Sequence, residues 1–135
     1  GYPVIVKPDV GVGANDTYEL KNEDDLKAFF DDDQNISYVM EEFVPGKILS
    51  YDAILDNKSQ PLMEACTEWP PSIVNIVNEK LDLAYFVRAD VPETLKNAGR
   101  ATVNAFGVKS RFVHLEFFQL EHDKEGLGKA GDLLA

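Results

Sequence analysis

The 135 residues lie near the modal size of a single domain and suffice to bury a core, and 44% hydrophobic with 27% charged residues is ordinary for a globular chain. Thirteen lysines and arginines against 24 acids give a net charge of −11, which argues against nucleic acid as a general partner because its phosphates would be repelled. One bound nucleotide stays open, since local cations and backbone amides can outweigh the mean field. No apolar run approaches the ~20 residues of a membrane span, and no signal peptide is visible. The lone Cys66 excludes an internal disulfide and fits a reducing, cytoplasmic compartment; a small half-buried side chain is expected there, not a nucleophile. The chain opens at Gly1, one residue before a strand, and stops in Asp132-Leu133-Leu134-Ala135 as another strand begins. It is expected to be a piece cut from a longer protein.

Tyr2 to Lys7 reads as a short strand closed by Pro8, followed by a loop over Asp9–Asp16 with Gly11 and Gly13. Thr17 to Leu20 suits a short returning strand. Asn22 is a good helix cap, with Glu23, Asp24 and Asp25 in the first turn, where acids favour the helix dipole. Leu26, Phe29 and Phe30 give the spacing of one buried face. Asp31-Asp32-Asp33 reads as a solvated helix end. Tyr38 to Val44 is strand-like until Pro45-Gly46 breaks it.

Ile48–Leu55 and Pro61–Cys66 form an expected hairpin across Asp56-Asn57-Lys58-Ser59-Gln60. Trp69-Pro70-Pro71 stops regular structure. From Ser72 to Arg88 the only pattern is Ile73, Ile76 and Val77, a hint of a helical stripe. Pro92 to Phe106 is a clear helix, with Leu95, Ala98, Thr102 and Ala105 on one face and Gly107 as a left-handed cap. Arg111 to Glu121 is a long strand, and His122–Lys129 a polar hairpin loop. The order predicts an α+β fold with helices packed on one side of antiparallel sheet.

Three segments carry possible chemistry. Lys7 ends a strand that runs into Pro8-Asp9-Val10-Gly11-Val12-Gly13, where glycines let backbone amides approach phosphate oxygens and the lysine adds a cation. The spacing is neither a P-loop nor a dinucleotide fingerprint, and a plain hairpin turn with an exposed lysine fits as well. Met40-Glu41-Glu42-Phe43-Val44 precedes the Pro45-Gly46 break, where unpaired backbone groups could read the edge of an adenine; an ordinary edge strand with two exposed acids is the alternative. Glu116 lies in Arg111-Phe112-Val113-His114-Leu115-Glu116-Phe117-Phe118. As a strand this places Phe112, His114, Glu116, Phe118 and Leu120 on one largely apolar face. An ionised carboxylate there costs several kcal/mol unless a metal, a cation or a wet cleft offsets it. A hard ion such as Mg²⁺ wants oxygen ligands, although one carboxylate is not a complete site. His114 and Arg111 read more simply as a satisfied half-buried histidine and a surface charge.

In this order the three segments resemble the ATP-grasp family, in particular its carboxylate-amine ligases. The resemblance covers most of the chain as the central nucleotide-binding part of that fold: two small lobes around a nucleotide cleft, residues 1–44 supplying the glycine-loop lobe and 45–135 the second lobe, truncated before its last strand. It implies ATP and Mg as cofactors. Lys7 is similar to the lysine on the α-phosphate, Gly11 and Gly13 to the loop over the outer phosphates, and Glu41 to the residue facing the adenine amino group. Glu42 and Val44 would lend backbone contacts, and Glu116 resembles a metal ligand. Such enzymes use ATP to convert a small carboxylic acid to an acyl phosphate, which an amine or a thiol then attacks. The family's ribose-holding glutamate is replaced by Ile48, and Asp52, on the same strand parity, is the candidate substitute. The second metal carboxylate would follow Leu134, so no catalytic residue is assigned and the chain by itself is expected to be inactive. The competing reading is a noncatalytic nucleotide-binding or interaction module on the same fold.

Overall fold

A computed structural model describes residues 1–11, 15–32, 35–69, 82 and 84–135. The chain forms two compact units, one of Gly1–Val44 with Ser72–Asp82 and one of Pro45–Pro71 with Leu83–Ala135, so the second does not run unbroken from residue 45. Gly13 and the Ile73, Ile76 and Val77 stripe lie outside the described residues. Among the described residues no helix is long and apolar enough to cross a membrane.

Among the described residues, the first unit is a three-stranded antiparallel sheet with one helix. Its strands are β1 (Val4–Pro8), β2 (Tyr18–Leu20) and β3 (Tyr38–Glu42), in the order β2-β1-β3. The helix α1 (Glu23–Asp31) starts where the cap residue dictates. Asn22 Oδ1 accepts from the amides of Asp24 and Asp25, both at 2.9 Å, and Asp25 Oδ2 accepts from the amide of Lys21 at 2.8 Å. The two bonds to Asn22 satisfy amides that the first turn leaves without helical partners, and the third ties down the residue before the cap. Val6, Leu20 and Phe29 form the core, flanked by Val4, Leu26 and Tyr38. Phe29 meets Tyr38 edge-on with ring centroids 5.1 Å apart. The expected third member of the helix stripe, Phe30, is exposed. A nine-residue helix on so narrow a sheet covers only the Leu26–Phe29 strip.

Among the described residues, the second unit is a five-stranded antiparallel sheet carrying one helix. Its strands are β4 (Gly46–Leu55), β5 (Pro61–Trp69), β6 (Phe86–Val87), β7 (Phe112–Leu120) and β8 (Leu133–Leu134), in the order β6-β5-β4-β7-β8. Both Gly46, expected as a breaker, and Lys47 already pair with β7, through Leu120 and Gln119. The β4–β5 hairpin turns where predicted. Asp56 Oδ1 accepts from the amides of Lys58 and Gln60, both at 2.7 Å.

The helix α2 (Glu93–Phe106) closes on Gly107 at φ 63°, as its sequence requires. Leu95 and Val103 pack with Leu49, Tyr51, Ala53, Leu55, Cys66 and Phe117 in the core. The buried line is Leu95, Gly99 and Val103. Ala98 and Thr102 flank it half-buried, whereas Ala105, expected on this face, is exposed. The line runs through Gly99 because the helix rests on Tyr51: a Cβ at this glycine would fall into the tyrosine ring. Cys66, expected half-buried, is fully buried.

Candidate functional site

In the first unit, strand alternation sorts β1 into two faces. Val4 and Val6 pack toward α1, which leaves Ile5 and Lys7 on the opposite face. The β1–β3 register sets Ile5 against Glu41 and Lys7 against Val39. Lys7 and Glu41 are therefore diagonal neighbours on the face turned away from α1. Their side chains meet at 2.6 Å, with 45% and 46% of their surfaces open to solvent. A pair this exposed contributes only about 0–1 kcal/mol, so it holds neither residue firmly. Glu42 pairs with Val4 and so belongs to the other face. Its side chain is exposed. Val44 is half-buried in the short link between β3 and β4, and Gly11 is exposed in the loop that leaves β1.

In the second unit the same alternation makes β4 two-sided. Leu49, Tyr51, Ala53 and Leu55 point into the core beneath α2. Ile48, Ser50, Asp52 and Ile54 share the other face with their β7 partners Phe118, Glu116, His114 and Phe112. A polar cluster forms there. Ser50, fully buried, donates through its hydroxyl to Asp52 Oδ2 at 2.6 Å. His114 Nδ1 lies 2.5 Å from Asp52 Oδ1, and its Nε2 is 3.6 Å from Glu116 Oε1. The hydrogen bond to Asp52 raises the pKa of His114 above the usual imidazole value. Partial burial opposes this, and the charges of Asp52 and Glu116 add to the rise.

The expected environment of Glu116 is corrected here. The apolar residues that surround it in sequence do not surround it in space. Val113, Leu115 and Phe117 turn toward the core, while the Glu116 side chain is 52% exposed and Phe112 is 78% exposed. The carboxylate is solvated, so no metal is needed to offset its burial. His114 is correspondingly not a half-buried structural residue. It is the exposed link between two carboxylates. Ser50 is a further member of this cluster beyond the residues the sequence singles out, and its i, i+2 relation to Asp52 on a strand is the signal that places it there.

A different network ties α2 to the core side of this sheet. Arg100 Nε and Nη2 fork onto Glu64 at 2.9 and 2.5 Å, and the Tyr51 hydroxyl donates to Glu64 Oε1 at 2.7 Å. Arg100, more than burial, sets the Glu64 pKa and lowers it. Burial pushes the Tyr51 hydroxyl up, and the Glu64 hydrogen bond adds to this. Burial likewise raises the Cys66 thiol, which keeps it protonated and unreactive.

Among the described residues no group of three or more His, Cys, Asp and Glu side chains forms a closed metal cage. Magnesium keeps several waters and takes only one or two protein carboxylates when it also binds phosphate oxygens. The single open carboxylate of Glu116 fits that mode and not a resident all-protein site.

No curated protein gives a significant sequence match. Among solved structures, the chain is similar to the biotin carboxylase domain of a thermophilic 2-oxoglutarate carboxylase bound to ADP without magnesium, at 18% identity and a TM-score of 0.44. That match covers 99% of this chain and 31% of the other, so the chain spans about a third of that protein's length. The family model described as the ATP-grasp domain matches residues 1–71, and by this match over more than half its length the chain belongs to the ATP-grasp family.

Proposed function

We propose that the chain is the ATP- and magnesium-binding portion of an ATP-dependent ligase that joins a small carboxylic acid to an amine or a thiol. The observation that carries this reading is the placement of Lys7 and Glu41 side by side on one open sheet face, inside the segment that matches the family. A weak surface pair is easily parted. Phosphate can take the lysine, and an adenine amino group can donate to the glutamate.

In this reading Lys7 holds the α-phosphate, and Gly11 and Gly13 belong to the loop that covers the outer phosphates. Glu42 and Val44 contribute backbone groups toward the adenine. Glu116 would hold Mg²⁺, which when bound would neutralise charge on the transferring phosphoryl group. Asp52 is the candidate for the ribose, and the bonds it already makes to Ser50 and His114 fix its orientation for that task. ATP transfers its γ-phosphoryl group to the acid, and the nucleophile then displaces phosphate from the acyl phosphate. None of the described residues is assigned to the chemical steps, and the chain alone is expected to bind nucleotide without turnover.

Calorimetric titration with ATP, with and without magnesium, tests the reading. Saturable binding that weakens at least tenfold in Lys7→Met and in Glu41→Gln is expected. Absence of binding, or binding indifferent to both substitutions, would overturn it.

A further inference from the structure

His114 and Glu116 stand two residues apart on the solvated face of β7, with 55% and 52% of their side-chain surfaces exposed. The imidazole is already held in one tautomer. Asp52 Oδ2 accepts from the Ser50 hydroxyl at 2.6 Å, and Asp52 Oδ1 faces His114 Nδ1 at 2.5 Å. The carboxylate is an acceptor on both sides, so Nδ1 is the nitrogen that carries the proton. In the neutral ring the lone pair is then on Nε2, which lies 3.6 Å from Glu116 Oε1. A carboxylate behind the far nitrogen of a histidine is the arrangement that orients metal-binding imidazoles and makes them stronger donors. Among the described residues no lysine or arginine pairs with Asp52 or Glu116, so the imidazole is their only partner of basic character.

We infer that His114 Nε2 is a second ligand to the metal ion at Glu116, and that this nitrogen makes the site select a first-row transition ion such as Co²⁺ or Mn²⁺ over Mg²⁺. The inference rests on the reading of Glu116 as the metal carboxylate. Two ligands on adjacent corners of an octahedron, with bonds of about 2.1 Å, lie about 3 Å apart. The 3.6 Å separation is close to that, and the half-exposed Glu116 side chain is free to close the remainder. Strand geometry supplies the pairing, because residues i and i+2 project from the same face. Mg²⁺ prefers oxygen and keeps several waters, so it gains only the carboxylate here. A transition ion gains both donors, with waters or phosphate oxygens at the other corners. Toward this ion Ser50 and Asp52 act only by positioning the ring.

Proton NMR of the chain loaded with Co²⁺ can read this ligand directly, because the sequence has only two histidines, His114 and His122. A cobalt-bound imidazole displaces its remaining N–H proton far outside the diamagnetic range. One such exchangeable signal is expected without nucleotide, retained in His122→Asn and absent in His114→Asn. Wild type and His122→Asn suffice to assign it if His114→Asn fails to fold. Calorimetric titrations with Co²⁺ and Mg²⁺ give the selectivity. His114→Asn should weaken Co²⁺ about tenfold or more and leave Mg²⁺ within about twofold, and Asp52→Asn should do the same in smaller measure. Glu116→Gln should weaken both ions. No displaced imidazole proton, a signal that vanishes with His122, equal loss of both ions in His114→Asn, or Co²⁺ binding untouched by Glu116→Gln would overturn the inference. A separate ATP titration distinguishes the two claims. ATP binding without the displaced proton removes only the histidine ligand, whereas a cobalt site without ATP binding keeps the ligand pair and removes the ligase reading.

Discussion

The Arg100 guanidinium grips the Glu64 carboxylate with two parallel hydrogen bonds and so joins α2 to β5. This relationship makes the second unit acid-sensitive. The folded-state pKa of Glu64 lies below its unfolded value, so the unfolded chain binds more protons in the window between the two. The stabilisation is full above the unfolded carboxylate value of about 4.3 and is lost as the pH falls through the folded value. Urea unfolding from pH 7 to pH 3 should show wild type losing stability in that window, and Glu64→Gln should give a flatter curve there. Parallel curves would show that the fork contributes nothing to acid stability.

Tyr51 is the third member of the network. Tyr51→Phe keeps the buried ring and removes one hydrogen bond to a carboxylate, which should cost about 1–2 kcal/mol. Equilibrium denaturation with an unchanged slope checks this.

Gly99→Ala should reverse the usual rule for helices. Alanine normally gains about 1 kcal/mol over glycine in a helix interior. Here the new methyl group has no room above the Tyr51 ring, and overpacking costs about 1–3 kcal/mol. A lower thermal midpoint for Gly99→Ala is expected; a higher one would mean that helix and sheet separate at little cost.

Glu116→Gln should leave stability within about 0.5 kcal/mol, since the side chain is half exposed and neither buries a charge nor fills a core. It should weaken magnesium-ATP binding far more than metal-free ATP binding. Equal loss in both titrations would remove the metal assignment.

Cys66 should react with a disulfide reagent in the native protein at least a hundredfold more slowly than in urea, because its thiol is buried and its pKa is raised. Comparable rates would show that the strand pair around it opens freely.

Local signals were the most legible part of the sequence. Asn22 before three acids, the turn-forming Asp56 and the left-handed Gly107 each impose a backbone geometry through their own atoms, and the structure shows all three. The family resemblance was legible because its segments keep their order along the chain. Burial was harder to read. In β7 aromatic residues occupy both faces, so sequence neighbours made Glu116 look buried when its own face is the solvated one. In α2 the buried line passes through a glycine, which no hydrophobic count selects. The link from Asp52 to His114 spans 62 positions and depends on the β4–β7 register, which one sequence does not specify.

That register has a further consequence for how this protein can change. Alternate residues of β4 serve the core and the polar cluster, so a one-residue slip would turn Leu49 and Tyr51 outward and drive Asp52 beneath α2. No intermediate arrangement spares either role. Single-residue insertions and deletions should therefore be purged from residues 46–55, while the exposed turn at residues 56–60 should tolerate variation in length. The packing of the core thus acts as a proofreading device for the position of the cluster.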